Sequence, residues 1–269
     1  NIVKPDMGII TNISGAHLKN FQTIKEIMKT KSALFNKLPI NGTAFVNLDD
    51  LYIKNLSVFS KKITYSFDKD STYSAQLSED KKQIKINNIE INIKYASKIM
   101  ATNVLAAFAI ASTIGIEENQ IKESIENFEI TNGRGNILKF KGINLIDDTY
   151  NANLESAKNG IENLINNFAN NRKIVVIGDM LELGTFEIKH HEELGKILLE
   201  KKIDAIFCYG ELTMHTTNVL KKSNQINKHY IDKNNLLSDL KKFLQKGDAI
   251  YLKGSRGMKM ESIIEGLKV

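Results

Sequence analysis

Apolar and polar positions change rhythm near residue 131. Residues 6–13 read as a buried strand. Residues 21–38 then carry helical spacing (Ile24, Ile27, Met28, Leu34) that stops near Pro39. TAFVNL predicts a strand running into Asn47, Asp49 and Asp50. From Ile63 to Tyr95 the pattern alternates, and within QIKINNIEINIKY the pair Asn87–Asn88 reads as a hairpin turn. An Ala-rich helix follows over 98–114, and a shorter one over 117–128. After TNGRGN at 131–136 the chain turns to regular strand–helix units. Strands fall at KIVVIG, DAIFCYG, KHYI and DAIYLKG, helices lie between them, and a last helix spans 259–267. Such alternation predicts an α/β protein with a mainly parallel, Rossmann-like second domain over 132–269, behind a first domain over 1–131.

Composition narrows the function classes. Hydrophobic residues make up 42% and charged residues 25% of the 269, ordinary for a globular protein with sizeable cores. The net charge of +6 would permit nucleic-acid binding. The lysines, however, are scattered in isolated pairs, arginines are few, and no basic stripe forms, so a solvated lysine-rich surface is expected and no nucleic-acid partner. The single cysteine, Cys208, lies in the apolar run AIFCYG and is expected to be buried in a strand, which fits a reducing, cytoplasmic setting. No apolar run approaches the roughly 20 residues of a membrane span, and no secretory signal opens the sequence, so no membrane association is expected.

Candidate chemistry concentrates in DDTYNAN at 147–153, which sets two carboxylates, a phenol and two amides between an apolar run and a helical pattern. Helix N-terminal amides and strand-end side chains converge on ligands at such places. An Asp/Asn-rich turn with an N-cap accounts for the same residues locally. Arg134 stands between two glycines in GRG, with a planar fork suited to phosphate oxygens. KGSRGM at 253–258 follows a strand and opens a helix. Its amides, with Lys253, Ser255 and Arg256, would make an anion site. His17, Lys31 and Asn103 each read locally as ordinary capping, solvated or helix-start residues. GDMLELG at 178–184 reads equally as a structural loop or as a cleft-shaping one through Asp179 and Glu182, with His191 a supporting residue.

DDTYNAN, GDMLELG and KGSRGM, in this order, together with PDMGIITNISGAHL, KTKSALF and TNVLAAFAIA upstream, resemble the Mur ligase family over essentially the whole chain. The resemblance implies a truncated central ATPase domain followed by the family's Rossmann-like C-terminal domain. It implies an ATP-dependent ligase of peptidoglycan synthesis, with ATP and Mg²⁺ as cofactors, which joins D-Ala-D-Ala to UDP-MurNAc-tripeptide through an acyl phosphate, as a monomer. By the same resemblance His17 and Lys31 hold a magnesium ion, Lys31 as its carbamate, with Lys29 the neighbouring alternative. Asn103 lies near the adenine, Arg134 contacts the γ-phosphate and Asp148 holds the ribose. Tyr150, Asn151 and Asn153 line the same cleft, and Lys253, Ser255 and Arg256 grip a substrate carboxylate.

The chain departs from the family pattern at Ile99-Met100, where a His-Asn pair is usual, and at Leu154, where proline is usual. No GxxxxGK[ST] phosphate loop occurs, and the first residue is Asn1, so the chain is expected to be the C-terminal part of a longer protein and inactive alone. Other Mur-type or folylpolyglutamate-type ligases are alternatives that DDTYNAN disfavours. A non-catalytic nucleotide- or peptide-binding module is an alternative of another class.

Overall fold

The computed structural model describes residues 4–14, 21, 23–67, 70–94, 97–221 and 223–269. They fall into two compact units that meet in sequence between Phe128 and Glu129.

The first unit contains β1 (Met7–Ile10), α1 (Ile24–Asn36), β2 (Thr43–Asn47), β3 (Lys61–Ser66), β4 (Tyr73–Leu77), β5 (Gln83–Ile86), β6 (Ile89–Asn92), α2 (Lys98–Thr113) and α3 (Glu118–Asn127). Its sheet has the order β1-β2-β3-β4-β5-β6. Strands β1 to β4 run parallel, and β4-β5-β6 are antiparallel. The turn between β5 and β6 falls on Asn87–Asn88, with Asn87 at φ 50°, a backbone region that asparagine tolerates better than most residues. Alternation along β5 and β6 buries Ile84, Ile86 and Ile91 against Ala101, Leu105, Phe108 and Ala109 of α2 and Ile121 of α3. Here the structure corrects one expectation: β1 covers only four residues, and as an edge strand it leaves Met7 exposed while Ile10 is buried.

The second unit contains β7 (Asn136–Phe140), β8 (Ile143–Asp148), α4 (Leu154–Asn167), β9 (Lys173–Gly178), α5 (Glu187–Leu199), β10 (Ala205–Tyr209), α6 (Thr213–Leu220), β11 (Ile226–Tyr230), α7 (Lys233–Phe243), β12 (Ala249–Lys253) and α8 (Glu261–Lys268). The sheet order is β11-β10-β9-β12-β8-β7. Every pair is parallel except β7 with β8 at one edge. Fully buried strands explain the near-continuous apolar runs, since both faces are covered. On one face Ile146, Val175, Ile177, Ile206 and Tyr251 pack with α4, α5 and α6 through Ile161, Leu164, Leu194, Leu198 and Leu220. On the other, Leu145, Ile174, Val176, Phe207, Ile250 and Leu252 pack with α7 and α8 through Leu236, Leu240, Ile263, Ile264 and Leu267. This is a doubly wound layer, and its loops at the carboxyl ends of the strands carry the motifs.

Candidate nucleotide and substrate site

β8 runs two residues further than its apolar pattern, so Asp147 and Asp148 are its last residues. Side chains alternate across a strand, and the two carboxylates therefore take different partners. Asp147 is buried. Its Oδ2 accepts the Gly133 amide at 3.0 Å, and its Oδ1 accepts the Thr149 hydroxyl at 2.7 Å. Its carbonyl accepts the Gly135 amide at 2.7 Å, and the Gly133 carbonyl accepts the Tyr150 amide at 2.9 Å. The loop before β7 is thus stitched to the end of β8. Gly133 sits at φ +79°, where a Cβ would also lie 3.1 Å from the Tyr150 nitrogen, so this close approach requires glycine. The stitching places the Arg134 guanidinium 4.0 Å from the centre of the Tyr150 ring, which is 46% exposed. Arg256 approaches the same ring at 6.0 Å. Two cationic forks around one accessible aromatic ring suit a planar, anionic ligand.

Asp148 turns the other way. Its Oδ2 accepts the Lys253 ammonium at 2.6 Å and the Tyr251 hydroxyl at 2.9 Å, both from the adjacent strand β12. The register sets Lys253 directly beside Asp148. The Lys253 side chain is 2% exposed and that of Asp148 20%. Among the described residues Oδ1 of Asp148 takes no hydrogen bond. Burial pushes the Asp148 carboxyl up and the Lys253 ammonium down, and the attraction within the pair opposes both shifts. The ammonium of Lys253 is therefore committed to Asp148, while Arg256 is exposed and its Nη1 lies 3.2 Å from Glu261 at the surface.

The remaining motif residues hold loops in place. Asn153 caps α4: its Oδ1 accepts the Ser156 amide at 2.8 Å, while Ser156 Oγ accepts the Asn153 amide at 3.1 Å. Asn151 Oδ1 accepts the Ala152 amide at 2.9 Å. Buried Ser255 accepts the Leu181 amide at 2.8 Å through Oγ and donates its own amide to the Asp179 carbonyl at 3.0 Å. Asp179 Oδ1 accepts the Thr213 amide at 2.8 Å. GDMLELG is thereby tied to two neighbouring loops. His191 on α5 is fully buried. Its Nε2 accepts the Met180 amide at 3.0 Å, and Nδ1 donates to the Glu187 carbonyl at 2.7 Å. That pattern requires the neutral imidazole, and burial lowers its pKa accordingly. Cys208 is buried in β10 and its thiol is pushed up to about 12, which makes it inert.

In the first unit, Lys31 is exposed on α1 and donates Nζ to the Asn12 carbonyl at 2.9 Å, just beyond β1. Lys29 is exposed on the same helix, and Asn103 is exposed on α2. His17 lies outside the described residues. Asn47 ends β2 and donates Nδ2 to the Thr11 carbonyl at 2.9 Å, and Asp49 and Asp50 beyond it serve the loops: Asp50 accepts the amides of Ile13, Tyr52 and Ile53, and Asp49 the Phe67 amide and the Ser66 hydroxyl. Among the described residues no three His, Cys, Asp or Glu side chains are grouped to hold a metal ion. Lys31 as a free amine is a donor, so the described residues do not by themselves fit Mg²⁺. No helix among the described residues is long and apolar enough to cross a membrane.

Two participants were not singled out from the sequence: Tyr251, and Gly160 of α4, whose Cβ would lie 2.0 Å from the Tyr251 hydroxyl. The available signal was the two-residue spacing of Tyr251 and Lys253, which puts both on one face of β12.

A mainly parallel α/β unit, with polar residues gathered at the carboxyl ends of its strands and a second, mixed-sheet unit before it, defines the class: a two-domain α/β protein with a nucleotide-type fold. The Mur ligase middle domain model matches residues 1–111, and the model described as Mur ligase, glutamate ligase domain matches residues 133–256. The chain belongs to the Mur ligase family.

Among its relatives, the UDP-N-acetylmuramoyl-tripeptide–D-alanyl-D-alanine ligase of Bacillus subtilis is 31% identical over 274 residues, 99% of this chain and 60% of that protein. The ligase of the same name from Rickettsia prowazekii is 31% identical, over 98% of this chain and 61% of its own length. The chain thus spans about three fifths of the length of these relatives. MurF from Acinetobacter baumannii shares the fold with a TM-score of 0.86 at 24% identity, over 99% of this chain and 60% of that one. MurF of Thermotoga maritima, solved in complex with ADP, matches at 0.85 and 24%, over 99% of this chain and 62% of that one.

Proposed function

We propose that these two domains are the middle and C-terminal parts of an ATP-dependent ligase that joins D-Ala-D-Ala to UDP-MurNAc-tripeptide in peptidoglycan synthesis. The relatives of that name, at 31% identity, support the substrate pair. The observation that carries the nucleotide reading is the end of β8. Asp148, two residues before an accessible Tyr150 that Arg134 covers at 4.0 Å, commits Oδ2 to Tyr251 and Lys253 and keeps its other carboxylate oxygen without a hydrogen bond among the described residues. Asp148 accepts hydrogen bonds from the ribose hydroxyls, Tyr150 offers its face to the ligand, and Arg134 neutralises phosphate charge. Asn151 and the capped start of α4, with Asn153, shape the wall of the same pocket. Arg256 meets the substrate carboxylate, with Ser255 and Lys253 holding its loop and its neighbour in place.

The reaction transfers the γ-phosphoryl group of ATP to the terminal carboxylate of the tripeptide. The amine of D-Ala-D-Ala then attacks the acyl carbon and expels phosphate. No nucleophilic side chain is required, in keeping with an inert Cys208. The protein's work is alignment and charge neutralisation. His17 and Lys31, the latter as its carbamate, are the proposed holders of Mg²⁺, and Lys29 is the alternative. The described residues leave that site incomplete, and no step is assigned to it. The ligase acts as a monomer in the cytoplasm, where ATP and nucleotide-linked precursors are found, without membrane or nucleic-acid partners.

The test is ADP release by the complete ligase. Release should require UDP-MurNAc-tripeptide and rise with D-Ala-D-Ala. ADP release indifferent to both substrates would overturn the assignment.

A further inference from the structure

We infer that Tyr251 is a positioning residue that fixes the carboxylate of Asp148 for its ligand, within a notch that Gly160 leaves in α4. The inference rests on the nucleotide reading of Asp148 given above. Tyr251 is fully buried, and its ring packs in the core against Ile146, Ile161 and Leu164. Its hydroxyl is the only polar atom of the side chain, and it is spent on Asp148 Oδ2 at 2.9 Å. The helix above it would close this space with any other residue, since a Cβ at Gly160 would lie 2.0 Å from that hydroxyl and 2.1 Å from Cζ.

Two donors, Tyr251 and Lys253, converge on one oxygen of Asp148. With Oδ2 held from the sheet side, the carboxylate cannot rotate, and Oδ1 is left as the acceptor for a hydroxyl from outside. A lone Lys253 would supply the charge but leave the carboxyl free to turn about its terminal bond, a broad and soft torsion. The groups that set the charge of Asp148 are Lys253 and Tyr251 on β12 and Asp147 on β8, with Arg134 acting through Lys253. The Tyr251 hydrogen bond favours the ionised carboxyl, so its loss moves the titration of Asp148 to higher pH.

Tyr251→Phe in the complete ligase is the direct test, with Asp148→Asn as reference. KM for ATP, Kd for ADP by calorimetry and kcat are measured from pH 5.5 to 8, with the melting temperature of each variant. Tyr251→Phe should raise the ATP KM and ADP Kd roughly fivefold to tenfold. It should shift the acid limb of ADP affinity to higher pH and leave the KM for UDP-MurNAc-tripeptide unchanged. If Asp148→Asn weakens ADP while Tyr251→Phe binds it like the parent at every pH, the positioning role is wrong. Weakened ADP binding with an unmoved acid limb and a lowered melting temperature would make Tyr251 purely a packing residue and also overturn it. If Asp148→Asn itself leaves ADP affinity intact, it is the nucleotide reading of Asp148 that fails.

Discussion

Acidification should weaken the second unit through one imidazole, His191. Its ring is fully buried between the loop after β9 and the first turn of α5. It accepts the Met180 amide at Nε2 and donates from Nδ1, so a second ring proton would point at an N–H. Burial lowers the folded-state pKa from the ordinary imidazole value of 6.5. The sign follows directly. Between the lowered folded value and 6.5 the unfolded chain binds a proton that the folded chain refuses, so stability falls as pH falls through that window and is fully present above it. If the folded ring stays neutral, moving from pH 7.5 to 5.5 costs about 1.4 kcal/mol, the most that an imidazole with an unfolded value of 6.5 can contribute over that range. His191→Gln should lose on the order of 1–3 kcal/mol at pH 7.5, because the Met180 amide and the Glu187 carbonyl lose well-placed partners. It should also lose the pH dependence. The gap between parent and variant in urea unfolding, followed by circular dichroism, should therefore narrow as pH falls from 7.5 to 5.5, by up to about 1.4 kcal/mol. The neighbouring His190, also lowered by burial, is present in both proteins and cancels in the comparison. A gap that stays constant across the two pH values would refute the reasoning.

Gly160→Ala should destabilise the chain by about 1–2 kcal/mol although alanine is the better helix former. The helix gains roughly 1 kcal/mol, but the new methyl meets a ring that cannot move aside. A raised melting temperature would contradict the contact. Lys31→Ala should abolish ligase activity, with partial rescue by short-chain carboxylic acids if the carbamate reading holds. Unchanged turnover would remove Lys31 from the site, and Lys29→Ala decides between the two lysines. Without a phosphate loop, the 269-residue chain alone should release no ADP from ATP, and turnover comparable to the complete ligase would show the nucleotide site to be misplaced.

Much of this architecture was legible because burial on both faces writes itself as apolar runs. KIVVIG, DAIFCYG and DAIYLKG are strands that both helical layers cover, and their periodicity needs no long-range information. The hairpin at Asn87–Asn88 was equally local, since alternation on both sides and a turn residue at positive φ suffice. What the pattern did not carry was lateral order. Nothing in DAIYLKG says that this strand lies between β8 and β9, and only that neighbour relation explains why Lys253 faces Asp148. Asn153 shows the complementary difficulty. A ligand-facing amide and an N-cap look alike in sequence, and the capping hydrogen bond to Ser156 becomes visible only in three dimensions. The exposed start of β1 differs from the expected buried strand for a related reason, because an edge strand and a central one can share the same composition.

The central place of β12 also has a meaning in time. A ribosome delivers the chain from its N-terminus, and among the described strands of the second sheet β12 comes last in sequence. Until residues 249–253 emerge, β8 and β9 have no strand to join them, and the hydroxyl and ammonium that hold Asp148 do not yet exist. The bond from Lys253 to Asp148 closes a span of 105 residues, the kind of distant pairing that makes folding wait. The nascent second unit therefore carries an open seam through the middle of its sheet for nearly the whole of its synthesis, and a chain that stops short has no finished Asp148 site.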